Sequence, residues 1–423
     1  MAYVPVALML AGMAAYTVLA GADFGAGLWT LLATGPGAAR TRAEARHAMG
    51  PVWEANHVWL IFVLVICWTG YPVAFGSIAS TLALPLTMAA VGIIFRGAAY
   101  ALRGSTTNHG ESRVAETLFA LSSVATPFAL GTITGAIATG RVPVGNAAGN
   151  LVTSWLNPAS ILIGVLAVAF SGYLAAVFLA ADSRRHPDQA QGAVLTGYFR
   201  RRALATGIAC GALALAGLLV MRHSGLNLTR GLALAMVGVS ALAGLATMAL
   251  CWRSRFGLAR LSAALAVAAV VAGWAAAQAP RMLPGMTVTQ AAAGRATLVA
   301  LTIAVACGAV ILIPSLALLY ALLLRGRLDD PETPEPPQAP EPLQAPETPQ
   351  APETMSATET APVPADRRSA LSLVPAALAG GGLTAGAGLL VFTDAAWMHG
   401  LGVACLIACA LSVFHLAAGR DAG

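Results

Sequence analysis

Eleven apolar runs follow one another along this chain, separated by short polar breaks, at residues 3–31, 52–71, 77–102, 113–138, 157–181, 203–221, 231–251, 258–278, 297–324, 370–393 and 397–417. A bilayer core about 30 Å thick is crossed by roughly 20 helical residues, so each run predicts one membrane-spanning helix. Composition agrees, with 58% of residues hydrophobic and 10% charged, against about one quarter charged in a water-soluble domain. A soluble fold is excluded, and the expected fold class is an all-α polytopic membrane protein. No basic residue precedes Arg40. The first run therefore lacks the cationic start of a signal peptide and is expected to persist as the first span.

Charge then orients the spans. All 24 basic side chains other than His are Arg. With the N-terminus outside, the odd-numbered loops and the C-terminus hold 18 of them, whereas the opposite loops hold five, Arg141, Arg222, Arg230, Arg281 and Arg295. Because basic residues are retained on the inner side, the chain is expected in the cell membrane, N-terminus external and C-terminus cytoplasmic. The excess suits loops facing an anionic leaflet, and no block reads as a nucleic-acid patch. The six cysteines lie scattered in apolar segments without a C-x-x-C pair, which implies neither a disulfide framework nor a zinc site.

One segment breaks the pattern. Residues 328–366 hold nine of the 18 acids, no Arg, and three copies of Gln-Ala-Pro-Glu beginning at Gln338, Gln344 and Gln350. Such Pro-rich acidic text predicts a disordered or polyproline-like tether. The expected organisation is a nine-helix core at 1–325, a cytoplasmic tether at 326–368 and a transmembrane hairpin at 369–423. The hairpin's Gly- and Ala-rich text favours close helix packing.

Ionisable groups within spans are costly, about 2.5–3.5 kcal/mol each near the bilayer centre, so the few present carry information. Asp23 lies in the first span, roughly 12 Å from its inner end, and Arg96 in the third, about 9 Å from that same face, at 1.5 Å per helical residue. Glu54 and His57 occupy the first turns of the second span. Three consecutive spans thus place two acids, an imidazole and a guanidinium in one layer. Two readings follow: a proton uptake route from the cytoplasm, or a fixed ion pair, Glu54–Arg96 or Asp23–Arg96, that pins the helices. Glu116 lies near a boundary where it can reach the interface, and His415 reads as a packing residue in the hairpin. A haem-ligand role for His57 has no evident second ligand in support. Trp53 sits where an interfacial aromatic is expected, and Trp59 lies about 9 Å deeper.

At these residues the chain resembles subunit II of cytochrome bd-type quinol oxidases, and looks closest to the cyanide-insensitive branch. The family's D-G-F-D-x-G-x-G pattern is matched by Ala20-Gly21-Ala22-Asp23-Phe24-Gly25-Ala26-Gly27, and its W-D-G-N-x-V-W-L by Trp53-Glu54-Ala55-Asn56-His57-Val58-Trp59-Leu60. Phe95-Arg96 and the stretch from Pro280 to Ala293 match further. Ala20 and Ala55 depart from the family's Asp and Gly. The resemblance implies two four-helix bundles with one peripheral helix, pairing with a homologous subunit I that carries haem b, haem d and the quinol site. No cofactor is then expected in this chain. It also implies that Glu54 and Asp23 belong to a proton path, with Arg96 as ion partner and His57 beside them. Trp53, Asn56, Trp59, Gly25 and Gly27 are the motif and packing positions.

The function expected from this resemblance is that of the partner subunit in quinol:O2 oxidoreduction within the aerobic respiratory chain. Two alternatives are a proton-coupled secondary transporter and a purely structural assembly subunit. Against a transporter stand the lack of inverted repeats and of discontinuous helices broken by Gly or Pro in mid-membrane.

Overall fold

The computed structural model describes residues 1–35, 37–47, 52–102, 109–221, 226 and 228–324. The expected tether, the terminal hairpin with His415, and the side chains of Trp53, Glu54 and Glu116 lie outside the described residues.

The helices are α1 (Tyr3–Leu32), α2 (Ala38–His47), α3 (Val52–Gly70), α4 (Pro72–Thr81), α5 (Ala83–Leu102), α6 (His109–Ala138), α7 (Pro158–Asp182), α8 (Gln189–Met221), α9 (Gly231–Trp252), α10 (Phe256–Gln278), the short α11 (Val288–Ala291) and α12 (Arg295–Leu324). Among the described residues seven helices are long and apolar enough to cross a membrane, or eight counting one bent pair, and Asn56–Gly70 forms a shorter apolar helix. The chain is an all-α polytopic membrane protein.

It divides into two units, Met1–Ile303 and Ala304–Gly423. In the first, α1 packs against α3 and α6, and α5 against α6. A second group closes on itself through α7 with α8, α8 with α9, α9 with α10 and α10 with α7. α7 seats this group on both α1 and α6. In the second unit, the described residues continue α12, with Pro314 inside the helix and exposed Val310, Ile311 and Leu318.

Glycine governs the approach of α7. A Cβ on Gly25 of α1 would stand 1.8 Å from the Ser171 carbonyl oxygen, and one on Gly135 of α6 would stand 2.6 Å from the Ser160 Cα. Without side chains at these positions the helix backbones close to near contact, the packing that membrane helices use in place of a water-driven core. α7 itself starts cleanly. Asn157 accepts from the Ser160 amide at 3.0 Å through Oδ1, while Pro158 fills the first helical position, where no amide hydrogen is needed. Asn157→Ala is expected to cost about 1 kcal/mol, read as a small drop in the melting temperature of the purified protein.

Three features differ from the expectation. The third run is not one helix over 77–102, because Pro72–Thr81 and Ala83–Ala99 meet at 84°. Pro85 has no amide hydrogen to donate to Thr81, and its ring collides with that carbonyl, so helix geometry fails at Leu82. Leu82 is buried with Tyr71, Ile133, Ala136, Val142 and Leu283, so the break lies at the end of the bundle where α6 terminates, not midway along it. The sixth helix begins at Gln189 rather than near 203, because Asp188 Oδ1 accepts from the amides of Ala190 and Gln191 at 2.9 and 3.1 Å. This capped start draws Arg200, Arg201 and Arg202 into the helix instead of a loop. Finally, the polar stretch after α1 forms α2, which closes the first helix. Arg42 donates to the carbonyls of Thr30 (3.3 Å) and Ala33 (3.0 Å), satisfying acceptors that the C-terminus of α1 leaves open.

Candidate functional site

Asp23 lies two turns before the end of α1, on the face that α1 turns toward α5 and α6. Arg96 reaches it from α5. The guanidinium grips the carboxylate through two bonds, Nη2 to Oδ1 at 2.7 Å and Nε to Oδ2 at 3.2 Å, and Nη2 also donates to the Asp23 backbone carbonyl at 2.8 Å. On its other side Nη1 donates to the hydroxyl of Ser123 in α6. That hydroxyl in turn donates to the Phe119 carbonyl at 2.6 Å.

Aromatic rings enclose the cation. The Arg96 Cζ lies 4.2 Å from the Phe119 ring centroid and 5.0 Å from that of Phe24, within the range of cation–π attraction. Arg96 is 2% and Asp23 8% exposed, so water contributes little to either charge. A buried charge survives only when it is paired and its hydrogen-bonding groups are used, which is the arrangement here. One side chain thus joins α1, α5 and α6.

Gly27 makes the approach feasible. A Cβ at that position would lie 2.0 Å from the Ser123 Oγ and 3.1 Å from Arg96 Nη1. Gly92, one turn before Arg96, gives the same clearance to Thr126, whose Oγ1 would stand 2.2 Å from an added Cβ.

α3 brings the next shell. His57 stands edge-on to Phe24 and to Tyr16, each with ring centroids 6.0 Å apart, and Trp59 packs with Tyr16, Ala20 and Phe24. Asn56 is buried and donates to the Leu19 carbonyl at 3.4 Å. His57 therefore reaches the ion pair through Phe24, with protein rings on two of its sides. Among the described residues no three His, Cys, Asp or Glu side chains are grouped to hold a metal ion.

Of the two ion pairs considered above, the structure contains Asp23–Arg96. Gly25 faces α7, Gly27 faces the ion pair, and Asn56, His57 and Trp59 line the α1–α3 contact. Glu54 belongs to the first turn of α3. Sequence reasoning missed Ser123 and Phe119, although the polar pair Ser122-Ser123 inside an apolar run is a signal that could have found the first.

The family model for cytochrome bd terminal oxidase subunit II matches residues 1–323. The chain belongs to that family. Membership makes it a membrane-spanning subunit of a respiratory terminal oxidase, an oxidoreductase. Among solved structures it is similar to a chain of the bd oxidase from Geobacillus thermodenitrificans, 22% identical with a TM-score of 0.57, over 76% of this chain and 98% of that one. That likeness concerns the fold. No curated protein matches the chain. Within this oxidase subunit, the Asp23–Arg96 pair lies wholly inside the matched region.

Proposed function

We propose that this chain is the haem-free subunit II of a quinol:O2 oxidoreductase, paired with a haem-bearing subunit I in the cell membrane. Its N-terminus is external and its C-terminus cytoplasmic. Haem b, haem d and the quinol site belong to the partner, and the chain is inactive alone. Protons for the reduction of O2 to water are drawn from the cytoplasm while quinol is oxidised at the outer side, which makes turnover electrogenic without a pump. The residues 1–325 act as the core, and the tether and terminal hairpin are additions to it.

The observation that carries the role of the site is the double grip of Arg96 on Asp23. Two charge-assisted hydrogen bonds tie the carboxylate to its partner in one fixed geometry. The pair therefore acts as a clamp on α1, α5 and α6, and the proton-carrying role falls to Glu54 in α3. Asn56, His57 and Trp59 fix the position of α3 against α1, which sets where Glu54 stands.

Glu54→Gln tests this. The variant is expected to assemble normally and to consume O2 about 10²–10⁴-fold more slowly, the loss expected on removing a proton-transfer group. Wild-type oxygen consumption would remove Glu54 from the mechanism and leave the purely structural reading, which the Asp23–Arg96 clamp also favours. The absorption spectrum of the affinity-purified complex tests the assignment as a whole. A haem d band far to the red of haem b is expected, and a colourless preparation would overturn it.

A further inference from the structure

α2 carries an acid that the Asp23–Arg96 clamp does not use. Glu44 is only 8% exposed, although it belongs to a polar helix at the end of α1. The next residue, Ala45, is buried in one cluster with Ala26 and Trp29 of α1, so this side of α2 is pressed against the bundle. Glu44 Oε1 accepts from the Ser183 hydroxyl at 2.9 Å, just past the end of α7. Ser183 is itself fully buried, and α8 closes over it, since a Cβ on Gly192 would stand 2.6 Å from the Ser183 carbonyl oxygen.

The one donor to this carboxyl is therefore a neutral hydroxyl. Among the described residues Glu44 enters no ion pair. Arg42 is bonded to carbonyls of α1, Asp182 to Arg260 and Arg184 to the Ser254 carbonyl. The His186 ring accepts from the Asp188 amide at 3.1 Å, Arg202 of α8 lies over the rings of Trp29 and Tyr198, and Arg185 is exposed. A buried carboxylate without a cation is costly to keep ionised. An amide would accept the same bond from Ser183 without that cost, so tying α2 to α7 does not call for an acid. What a carboxyl adds at this place is the capacity to take up and release a proton.

We propose that Glu44 is the proton-loading residue on the inner side of the chain, supplying the route that continues at Glu54. α2 is the segment through which the chain passes from α1 to α3, which puts Glu44 at the entry to that route. Ser183 occupies Oε1, leaving Oε2 to bind a proton from cytoplasmic water. Release of that proton toward α3 restores the carboxylate, so one proton enters and one leaves in each cycle. The proposal rests on the proton route given above.

The test is the oxygen consumption of the whole complex across the neutral pH range, for wild type, Glu44→Gln and Glu44→Asp. Glu44→Gln keeps an acceptor for Ser183 but cannot load a proton. It is expected to assemble with an unchanged melting temperature, and its rate is expected to fall about tenfold per pH unit as pH rises, because protons must then come directly from bulk water. Glu44→Asp keeps the carboxyl and is expected to restore the wild-type pH profile. A wild-type rate and profile in Glu44→Gln would overturn the proposal. If Glu54→Gln is slowed in parallel, the proton route itself stands, whereas wild-type rates in both variants remove the route as well. A uniform loss at every pH with a lowered melting temperature would identify a packing role and overturn the proposal too. Should Glu44→Gln not be recovered, treatment of the wild-type complex with dicyclohexylcarbodiimide decides, since this reagent adds to protonated carboxyls in apolar surroundings. A Glu44 adduct, found by peptide mass spectrometry together with loss of oxygen consumption, is expected, and its absence would overturn the proposal.

Discussion

Arg96→Met is expected to abolish assembly, with no complex recovered from membranes. The substitution leaves the buried Asp23 carboxyl without its partner, in a site it shares with Phe24 and Phe119, and removes the donor to Ser123; breaking a buried pair in this way costs about 3–5 kcal/mol. Arg96→Lys retains the charge but cannot grip a carboxylate in two places and reach Ser123 at once, so partial recovery with lowered thermal stability is expected. The informative variant is the double one, Asp23→Leu with Arg96→Met. Replacing a buried pair by apolar side chains of similar size is often nearly neutral. A clamp predicts that the double variant regains both assembly and oxygen consumption. Recovery of assembly without turnover would instead place Asp23 in proton transfer and overturn the division of labour with Glu54. Blue-native electrophoresis and oxygen uptake on the same membranes separate the outcomes.

The second large effect is expected at Gly25→Val. An added Cβ would fall 1.8 Å from the Ser171 carbonyl oxygen, with the Ala175 Cβ only 2.7 Å away. Both obstacles belong to α7, and neither the helix backbone nor a methyl can swing aside, so α1 and α7 must separate. Overpacking typically costs about 1–3 kcal/mol, and the backbone clash puts this site at the upper end. Helix propensity works the other way, since removing a helical glycine gains up to about 1 kcal/mol, so a net loss of stability identifies the contact as the cause. Gly244→Val within α9, where an added Cβ meets nothing within 4 Å, is the matched control and is expected not to lower the melting temperature.

Much of this architecture could be read before any coordinates. Membrane spans announce themselves because a helix in lipid needs a long apolar run, and the first nine runs each contain a helix. The layer holding Asp23 and Arg96 also emerged from helix rise alone, because both residues sit a countable number of turns from the same end. Hydropathy failed where it carries no information on direction. The run around residue 82 is apolar throughout, and only Pro85 marks the point where the chain turns. It failed again at the start of α8, whose first turns are polar but helical because Asp188 satisfies their amides. That Asp23 grips Arg96 needed three dimensions, since depth alone does not tell which way α1 faces, and here it faces α5 and α6. Ser123 and Phe119 stayed hidden for a related reason. They come from α6, and no spacing within one helix tells which neighbour its polar side faces.

The perpendicular course of α4 also sets the spacing of the crossings on either side of it. Ten residues of helix lying sideways carry the backbone about 15 Å laterally, so the second and third crossings need not be neighbours. α3 rests mainly on α1 and α4 within its own unit, and Val58, Ile61, Val65 and Trp68 look outward from it. A tight hairpin would have buried that flank against α5. The horizontal strut keeps it bare by design of the chain path, not by looseness of a loop.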